Sequence, residues 1–318
     1  MIRSSASPTT CEATPVLGRS KMGKLVPIAD THLLTTIAKF PAEWRDDDSK
    51  RSFYLAISVI KYFLGEEWLY EHVSPERRTP GFLRVVAGHS AETQVSTLKI
   101  VDFAELLFNL QHIAGVNTCI DRLKQGVIEP TYAELDLGRM LYCGCINFRF
   151  VEPQQKKGFD YDIEITLADG TVVCADAKCK VETTDFSVDT VRRSLEKARK
   201  QFPNRPSIIF MKVPPRWIKE RLASSGVSLN EIAEEFLRGT GKIVSVKFYF
   251  SEIDYVDNAI RHDHAFKEIS NPNNRFDRVR DWDMFAEPQV QRGWNGMPPR
   301  WRRLLFVPNE GPSALAPS

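Results

Sequence analysis

Two alternating segments on either side of a tight turn constrain this chain more than any other feature of its sequence. From Asp160 to Leu167, apolar residues alternate with Asp, Glu and Thr, and from Val172 to Lys180 they alternate with Cys, Asp and Lys. Between the segments lies Ala168-Asp169-Gly170, a typical turn sequence. Successive side chains of a strand point to opposite faces. The pattern therefore predicts a β-hairpin with one apolar face and one charged face.

The three-residue turn, centred on Asp169, fixes which charged residues lie opposite one another. It places Asp162 opposite Asp176 and Asp160 opposite Lys178. Like charges opposite each other destabilise a ladder, and Mg²⁺, which prefers carboxylate oxygens, would offset their repulsion. A neighbouring ammonium could then stabilise charge developing on a phosphate. The alternative is a solvated hairpin face with an Asp–Lys cross-strand pair, which shows the same alternation.

The segments around the hairpin predict a mixed α/β fold. Apolar periodicity and turn residues indicate, in order, a helix over about 131–141, a strand over 146–151, the hairpin, a helix over about 188–202 and a strand over 207–213. The order is therefore α-β-β-β-α-β. A further helix over 229–238 follows, opened by the capping box of Ser228 and Glu231, and then a strand over 243–250.

At these residues the sequence resembles the PD-(D/E)XK nuclease superfamily. The second signature element is present as Asp176-Ala177-Lys178, and the first as Gly158-Phe-Asp-Tyr-Asp162, in which Phe159 replaces the proline. The element order is also similar to the αβββαβ core of this restriction-endonuclease-like fold. The resemblance covers about residues 130–213, so a helical N-terminal region and the C-terminal part lie outside it.

The resemblance implies a Mg²⁺- or Mn²⁺-dependent nuclease that hydrolyses phosphodiester bonds of DNA, with RNA as the second choice. Asp176 and either Asp160 or Asp162 would hold the metal, and Lys178 would orient or activate the attacking water. The superfamily also contains members without activity. The alternative is thus a catalytically inactive nuclease-fold module that serves as a nucleic-acid- or protein-binding scaffold.

Two further residues match positions that contribute to the site in this superfamily. Its core helix often supplies a glutamate, for which Glu134 is the candidate catalytic and metal-binding residue, and its later helix often supplies a glutamine, for which Gln201 is the candidate. Each has a structural alternative. The sequence Thr131-Tyr-Ala-Glu134 is also a capping box, and Gln201 is also a surface residue at a helix end.

The helix after the hairpin is strongly basic and is a candidate phosphate-binding surface. The segment 191–206 carries six basic residues against one acidic residue. An ordinary solvated helix face is the alternative. The candidate nucleic-acid-binding residues are Arg192, Arg193, Lys197, Arg199 and Lys200, with Lys156 and Lys157 before the hairpin.

Changes in composition along the chain predict five regions. The N-terminal region contains two apolar helix candidates, 52–64 and 101–113, and the punctuation at Glu129-Pro130 marks the change to a mixed pattern. The regions are a disordered leader (1–25), a helical N-terminal region (26–128), the nuclease-like core (129–255), a C-terminal extension (256–307) and a disordered tail (308–318).

The overall composition narrows the class of protein. With 42% hydrophobic residues among 318, the chain is not disordered throughout. A formal net charge of +2 excludes coating of nucleic acid by bulk charge, but it conceals the basic helix beside the acidic hairpin. The six cysteines are too sparse for a disulfide framework and favour a reducing cytoplasm. No apolar run is long enough to predict a membrane helix or a secretory signal.

Overall fold

The fold is described from a computed structural model that covers residues 26–279, apart from 77–80, 89–90, 145, 155, 157, 182–183, 220–227 and 257–258. The predicted leader and tail lie outside the described residues, as do Lys157 and positions 280–307 of the predicted extension. Helices come first along the described part of the chain, and strands with intervening helices follow.

Helices occupy the N-terminal part of the described chain, as the spacing of its apolar residues predicts. They are α1 (Asp30–Ala38), α2 (Ala42–Arg45), α3 (Asp48–Leu64), α4 (Glu66–His72), α5 (Ala91–Leu110), α6 (Val116–Lys124) and α7 (Ile128–Cys143). The helix predicted over 52–64 begins earlier, at Asp48, because Asp47 accepts a hydrogen bond from the amide of Lys50 and caps it. The helix predicted over 101–113 is shifted N-terminally as α5.

The strands form one six-stranded sheet with three helices in its connections. The elements are β1 (Asn147–Phe150), β2 (Ile163–Thr166), β3 (Val172–Cys179), α8 (Val188–Gln201), β4 (Ser207–Lys212), α9 (Pro215–Lys219), α10 (Leu229–Arg238), β5 (Ile243–Val256) and β6 (Ala259–Ser270). The predicted capping box of α10 is present in both directions between Ser228 and Glu231. A short 3₁₀ helix over Asp277–Val279 ends the described chain.

The sheet is mixed, with strand order β1-β2-β3-β4-β5-β6. Strands β1, β2 and β3 pair antiparallel, β3 pairs parallel with β4, β4 pairs parallel with β5, and β5 pairs antiparallel with β6. The parallel step from β3 to β4 needs a crossover, which α8 supplies. The predicted mixed α/β class is confirmed, and the elements from α7 to β4 occur in the predicted order.

The hairpin has the predicted register but a shorter first arm. Ile163 lies opposite Ala175, and Gly170 occupies the turn with φ +80°. The ladder between β2 and β3 begins only at Ile163, so the prediction that Asp160 faces Lys178 across it is wrong. The chain before β2 turns instead toward β1, where the amide of Val151 donates to the carbonyl of Asp162 (2.8 Å).

Each face of the sheet is covered by different helices, which set the environment of alternate residues on β3. Helices α5 and α7 pack on the face that carries Val173, Ala175 and Ala177. Helices α8 and α10 pack on the other face, which carries Cys174. The apolar residues Val191, Leu195 and Ala198 of α8 are buried there. Successive residues of β3 therefore lie in opposite layers of the structure.

The N-terminal helices and the sheet share one hydrophobic core. A single cluster of buried side chains includes Leu55 of α3, Phe103 of α5, Leu137 of α7 and Ile208 of β4. Contacts of α5 with α3, α7 and β5 connect the layers. The helical N-terminal region therefore supports the sheet directly.

Helix α5 lies at the centre of this core and is joined to α7 by buried polar groups. Asp102 of α5 accepts hydrogen bonds from Tyr132 and Arg139 of α7, and Arg139 also pairs with Asp136. These pairs satisfy charges that would otherwise be costly to bury. Among the described helices, none is long and apolar enough to span a membrane.

The turn before α6 approaches β1 so closely that only glycine fits. Gly115 has φ +83°, and a Cβ atom there would lie 2.0 Å from the carbonyl oxygen of Phe150. The amide of Phe150 donates to the carbonyl of Ala114 (2.9 Å), so backbone pairing holds the two segments together. The clash therefore involves backbone that cannot move without breaking this bond.

We predict that Gly115→Ala lowers the free energy of unfolding by about 3 kcal/mol or more, measured by urea denaturation. Gly170→Ala is the matched control, because Gly170 has φ +80° and nothing lies within 4 Å of the added Cβ. The control pays only the backbone strain, about 1–2 kcal/mol. Equal losses for the two variants would contradict the close approach.

Candidate active site

Asp176 and Lys178 lie two residues apart on β3 and form a buried ion pair. The Asp176 side chain is fully buried, whereas the Lys178 side chain retains 19% of its exposure. Lys178 Nζ donates to Asp176 Oδ1 (2.8 Å) and lies 2.7 Å from Oδ2, an atom that otherwise accepts no hydrogen bond. Alternation along the strand places both side chains on the face that α8 covers. The carboxylate is therefore closed to solvent, whereas a small part of the lysine side chain is exposed.

Asp162 joins this pair because the ladder between β2 and β3 ends beside it. The Ala177 amide of β3 has no partner on β2 and donates instead to Asp162 Oδ2 (2.7 Å). The Asp162 amide donates to the carbonyl of Ala175 (3.0 Å). These two hydrogen bonds fix the carboxyl group of Asp162 next to that of Asp176.

Burial, with a further contribution from the neighbouring Asp162, raises the pKa of Asp176 to about 7. Burial is the largest cause, because it disfavours the charged form. The negative charge of Asp162, and the hydrogen bond that the two carboxyl groups form when one is protonated, raise the pKa further. The ammonium of Lys178 acts in the opposite direction. Two carboxylates in contact call for a proton or a cation between them.

Gln201, at the end of α8, contacts both Lys178 and the backbone of Asp160. Its Oε1 accepts a hydrogen bond from Lys178 Nζ (2.7 Å), and its Nε2 donates to the carbonyl of Asp160 (2.9 Å). The Asp160 amide donates to the Gln201 carbonyl (3.2 Å). The structure therefore places Gln201 against the charged pair rather than at a free helix end.

Asp160 lies apart from the carboxyl pair. Its Oδ1 accepts hydrogen bonds from the amides of Gln154 (3.1 Å) and Lys156 (3.3 Å), so it closes the loop before β2. Local pairing of an Asp side chain with nearby amides is typical of turns. Of the two aspartates that the sequence left open, the structure thus brings Asp162 to Asp176 and keeps Asp160 in the loop.

Glu134 is buried within electrostatic range of Asp162 and Lys178, and it is bound by an arginine. It is not a capping residue, because α7 already begins at Ile128 and Thr131 Oγ1 donates to the Val127 carbonyl (2.6 Å). Arg122 of α6 donates from Nη1 to Glu134 Oε1 (2.5 Å) and from Nη2 to Oε2. Burial raises the pKa of Glu134 to about 7, Arg122 opposes the rise, and the charge of Asp162 adds to it.

Arg122 was not a candidate from the sequence. It lies three residues after buried Cys119 and one before buried Leu123. The sequence could therefore have indicated only that a basic residue lies at the edge of the buried face of α6. Its partner could not be inferred, because Glu134 lies on a different helix. The thiol of Cys119 also lies near Arg122 Nη2 (3.5 Å), and burial raises its pKa to about 12. The thiol therefore stays neutral and is not a nucleophile.

The donor set of this site fits a hard divalent cation. Asp162 and Asp176 present adjacent carboxylates, and the only cation in contact with Asp176 Oδ2 among the described residues is the ammonium of Lys178. Within the described ranges, no group of three or more His, Cys, Asp or Glu side chains is gathered as a ready-made metal cage. Mg²⁺ does not require one, since it is commonly held by one or two carboxylates together with water and phosphate oxygens.

The basic residues of α8 divide into two groups. Arg192 pairs with Glu235 of α10, and Arg199 pairs with Glu196 (2.6 Å) and donates to the Gly239 carbonyl (3.3 Å). Both guanidinium groups therefore bind the protein itself, and their contacts with α10 join the two helices.

Arg193, Lys197 and Lys200 form the second group, which we call the cationic stripe. They are exposed and follow one another at spacings of four and three residues, which places them on one side of the helix. None of the three forms an ion pair with any described residue. Gln201 borders the stripe at its C-terminal end. Lys156 is also exposed and lies over the ring of Phe159 (4.7 Å).

Comparisons with protein-family models, with curated proteins and with solved structures found no match to this chain.

We predict that the carboxyl pair makes stability depend on pH in the absence of metal. The folded-state pKa of Asp176 is raised from 3.8 to about 7, so the folded state holds a proton that the unfolded state has released. Stability is therefore fully present below about pH 4 and is lost as the pH rises toward 7. Asp176→Asn removes this titration and leaves that of Glu134 in place.

The free energy of unfolding should be measured by urea denaturation from pH 4.5 to 7.5 in EDTA. As the pH rises over this range, wild type should lose more free energy of unfolding than Asp176→Asn. The stability of wild type relative to the variant should therefore be greatest at the lowest pH. Parallel curves would contradict the buried carboxyl pair.

Proposed function

We propose that this protein is a Mg²⁺- or Mn²⁺-dependent nuclease that hydrolyses phosphodiester bonds of DNA, or of RNA as the second choice. The observation that carries the proposal is the contact of Asp162 and Asp176 beside Lys178 and Gln201. These are the residues that the resemblance to the PD-(D/E)XK superfamily assigns to the site. The order of elements from α7 to β4 supports a core of the restriction-endonuclease-like type.

Asp162 and Asp176 would hold the metal ion. When bound, a divalent cation supplies charge that stabilises a transferring phosphoryl group and lowers the pKa of water. Asp162 is positioned for this by the Ala177 amide and Asp176 by the strand itself. Because both groups are held by the backbone of β3, they present their oxygens without rearrangement of the fold.

Lys178 acts in this proposal as a cation beside the carboxyl pair. Burial lowers the pKa of Lys178, but in the absence of a metal ion the charges of Asp176 and Asp162 outweigh that effect and raise it above its usual value. Lys178 stabilises negative charge on the phosphate and orients the attacking water, while Gln201 Oε1 directs the ammonium through its hydrogen bond.

The cationic stripe supplies the contacts that hold a nucleic-acid strand near this centre. Arg193, Lys197 and Lys200 are exposed and form no ion pair with a described residue, whereas Arg192 and Arg199 are paired with Glu235 and Glu196. Phosphate contacts position a strand without reading its sequence. The stripe ends next to Gln201, so a backbone that follows it would arrive at Lys178 and the carboxyl pair.

We predict that Asp162→Asn abolishes Mg²⁺-dependent cleavage, whereas Asp160→Asn keeps most of it. The two aspartates are two residues apart, but only Asp162 contacts the Asp176 carboxyl group. Loss of a metal ligand should lower the rate by on the order of 10²-fold or more. Single-stranded, duplex and branched DNA and single-stranded RNA should each be tested with Mg²⁺ and with Mn²⁺.

The same proteins should be tested for metal binding by thermal unfolding. Mg²⁺ should raise the melting temperature of wild type and of Asp160→Asn, but not that of Asp162→Asn. Wild type that neither cleaves any of these substrates nor responds to the metal would overturn the proposal and favour the scaffold alternative.

We predict that the cationic stripe controls affinity for nucleic acid. Replacing Arg193, Lys197 and Lys200 together by Gln should weaken binding and reduce the slope of log K against log salt by about 2–3 for duplex DNA. Replacing Arg192 and Arg199 by Gln removes two positive charges as well, but from groups that bind α10 and Glu196. That control should lower thermal stability and leave the salt slope nearly unchanged, so an equal effect on the slope would contradict the assignment.

A further inference from the structure

We propose that the centre holds one divalent cation rather than two, and that Arg122 supplies beside Glu134 the positive charge that a second ion would bring. The inference rests on the proposed function, because it assumes that Asp162 and Asp176 bind a metal. It differs from the expectation that Glu134 is itself a metal ligand. The distinction concerns Arg122 of α6 and Glu134 of α7, both of which lie within electrostatic range of Asp162.

Arg122 binds Glu134 in the geometry that a guanidinium and a carboxylate favour. Its two terminal nitrogens face the two carboxylate oxygens, one contact measuring 2.5 Å from Nη1 to Oε1. Parallel hydrogen bonds of this kind are strong and directional. The side chain of Arg122 is 19% exposed and that of Glu134 is 5% exposed. Water therefore competes little for either group.

Arg122 also acts on the proposed metal ligand. The charge of Asp162 is one of the causes that raise the pKa of Arg122 further above its usual range, although burial acts against the rise. The guanidinium therefore lies within electrostatic range of Asp162 as well as in contact with Glu134. A divalent ion placed between these two carboxylates would meet the fixed positive charge of Arg122 in a poorly solvated site, where like charges repel strongly.

The balance of charge in the centre points to one ion. When ionised, Glu134, Asp162 and Asp176 carry three negative charges, and Arg122 and Lys178 carry two positive charges. One net negative charge remains. A single divalent ion makes the centre positive by one charge, which the phosphodiester then neutralises, whereas two ions would leave an excess of positive charge out of reach of water.

The ion pair could instead serve only to join α6 to α7. The two possibilities differ in what happens when the arginine is removed. If Arg122 only joins the helices, its loss lowers stability and leaves the number of bound ions unchanged. If it replaces an ion, its loss leaves Glu134 as a free buried carboxylate beside Asp162, and these two groups recruit a second cation.

The experiment counts Mn²⁺ ions bound per chain, by calorimetry and by the loss of free Mn²⁺ signal in electron paramagnetic resonance, on the full chain. Wild type should bind one ion and Arg122→Met two. Arg122→Lys keeps the charge and should bind one. The double variant Arg122→Met with Glu134→Gln removes the free carboxylate and should return to one ion.

Glu134→Gln in the wild-type background provides a test that does not depend on the folding of Arg122→Met. It should still bind one Mn²⁺, because Glu134 is not a ligand, although the loss of its negative charge leaves Arg122 unpaired and weakens the affinity. Two ions in wild type, one ion in folded Arg122→Met, or loss of Mn²⁺ binding by Glu134→Gln would each overturn the inference and leave the metal centre of the proposed function standing. No Mn²⁺ bound by wild type would overturn the proposed function, and the inference with it.

Discussion

The repulsion between two carboxyl groups is the interaction around which this structure is arranged. Asp162, which is partly exposed, lies in contact with the fully buried carboxylate of Asp176, and burial together with the charge of Asp162 raises the pKa of Asp176 to about 7. Such a pair persists only if the fold fixes both groups firmly. Here the backbone does so, through β3 for one group and through the Ala177 amide for the other. The cations Lys178 and Arg122 offset two of the three negative charges that Glu134, Asp162 and Asp176 carry when ionised. One net negative charge then remains.

The end of the ladder between β2 and β3 turns a regular hairpin into a site. Because pairing starts at Ile163, the Ala177 amide is left without a strand partner and becomes a hydrogen-bond donor for Asp162. The loop before β2 is held by Asp160 and by the carbonyl and side-chain contacts of Gln201. The early end of the ladder and the contacts of Gln201 thus position the carboxylate of Asp162, which regular strand pairing alone would not place there.

Much of this could be predicted from the sequence, because it depends on local periodicity. The length of the turn fixed the hairpin register, and the helix α8 and the capping box of α10 followed from the spacing of their residues. The start of the first arm could not be predicted, since residues 160–162 continue the alternation although β2 does not include them. The ion pair of Arg122 with Glu134 could not be predicted either, because it depends on how α6 packs against α7. Local pattern likewise could not separate the cationic stripe from Arg192 and Arg199, whose partners lie on α10 or depend on side-chain rotamers.

The position of Arg122 on α6 has a consequence for how this chain can be divided. The resemblance to the nuclease superfamily starts near residue 130, yet Arg122, which supplies the counter-charge of Glu134, lies before that point. A fragment that kept only the nuclease-like elements would retain Glu134 without its counter-charge and would uncover the face of α7 that α5 and α6 bury. The N-terminal helices therefore cannot be exchanged for an unrelated segment without affecting the residues around Glu134. Any lineage that replaced them would also have to change the residue at position 134 or supply another counter-charge for its buried carboxylate.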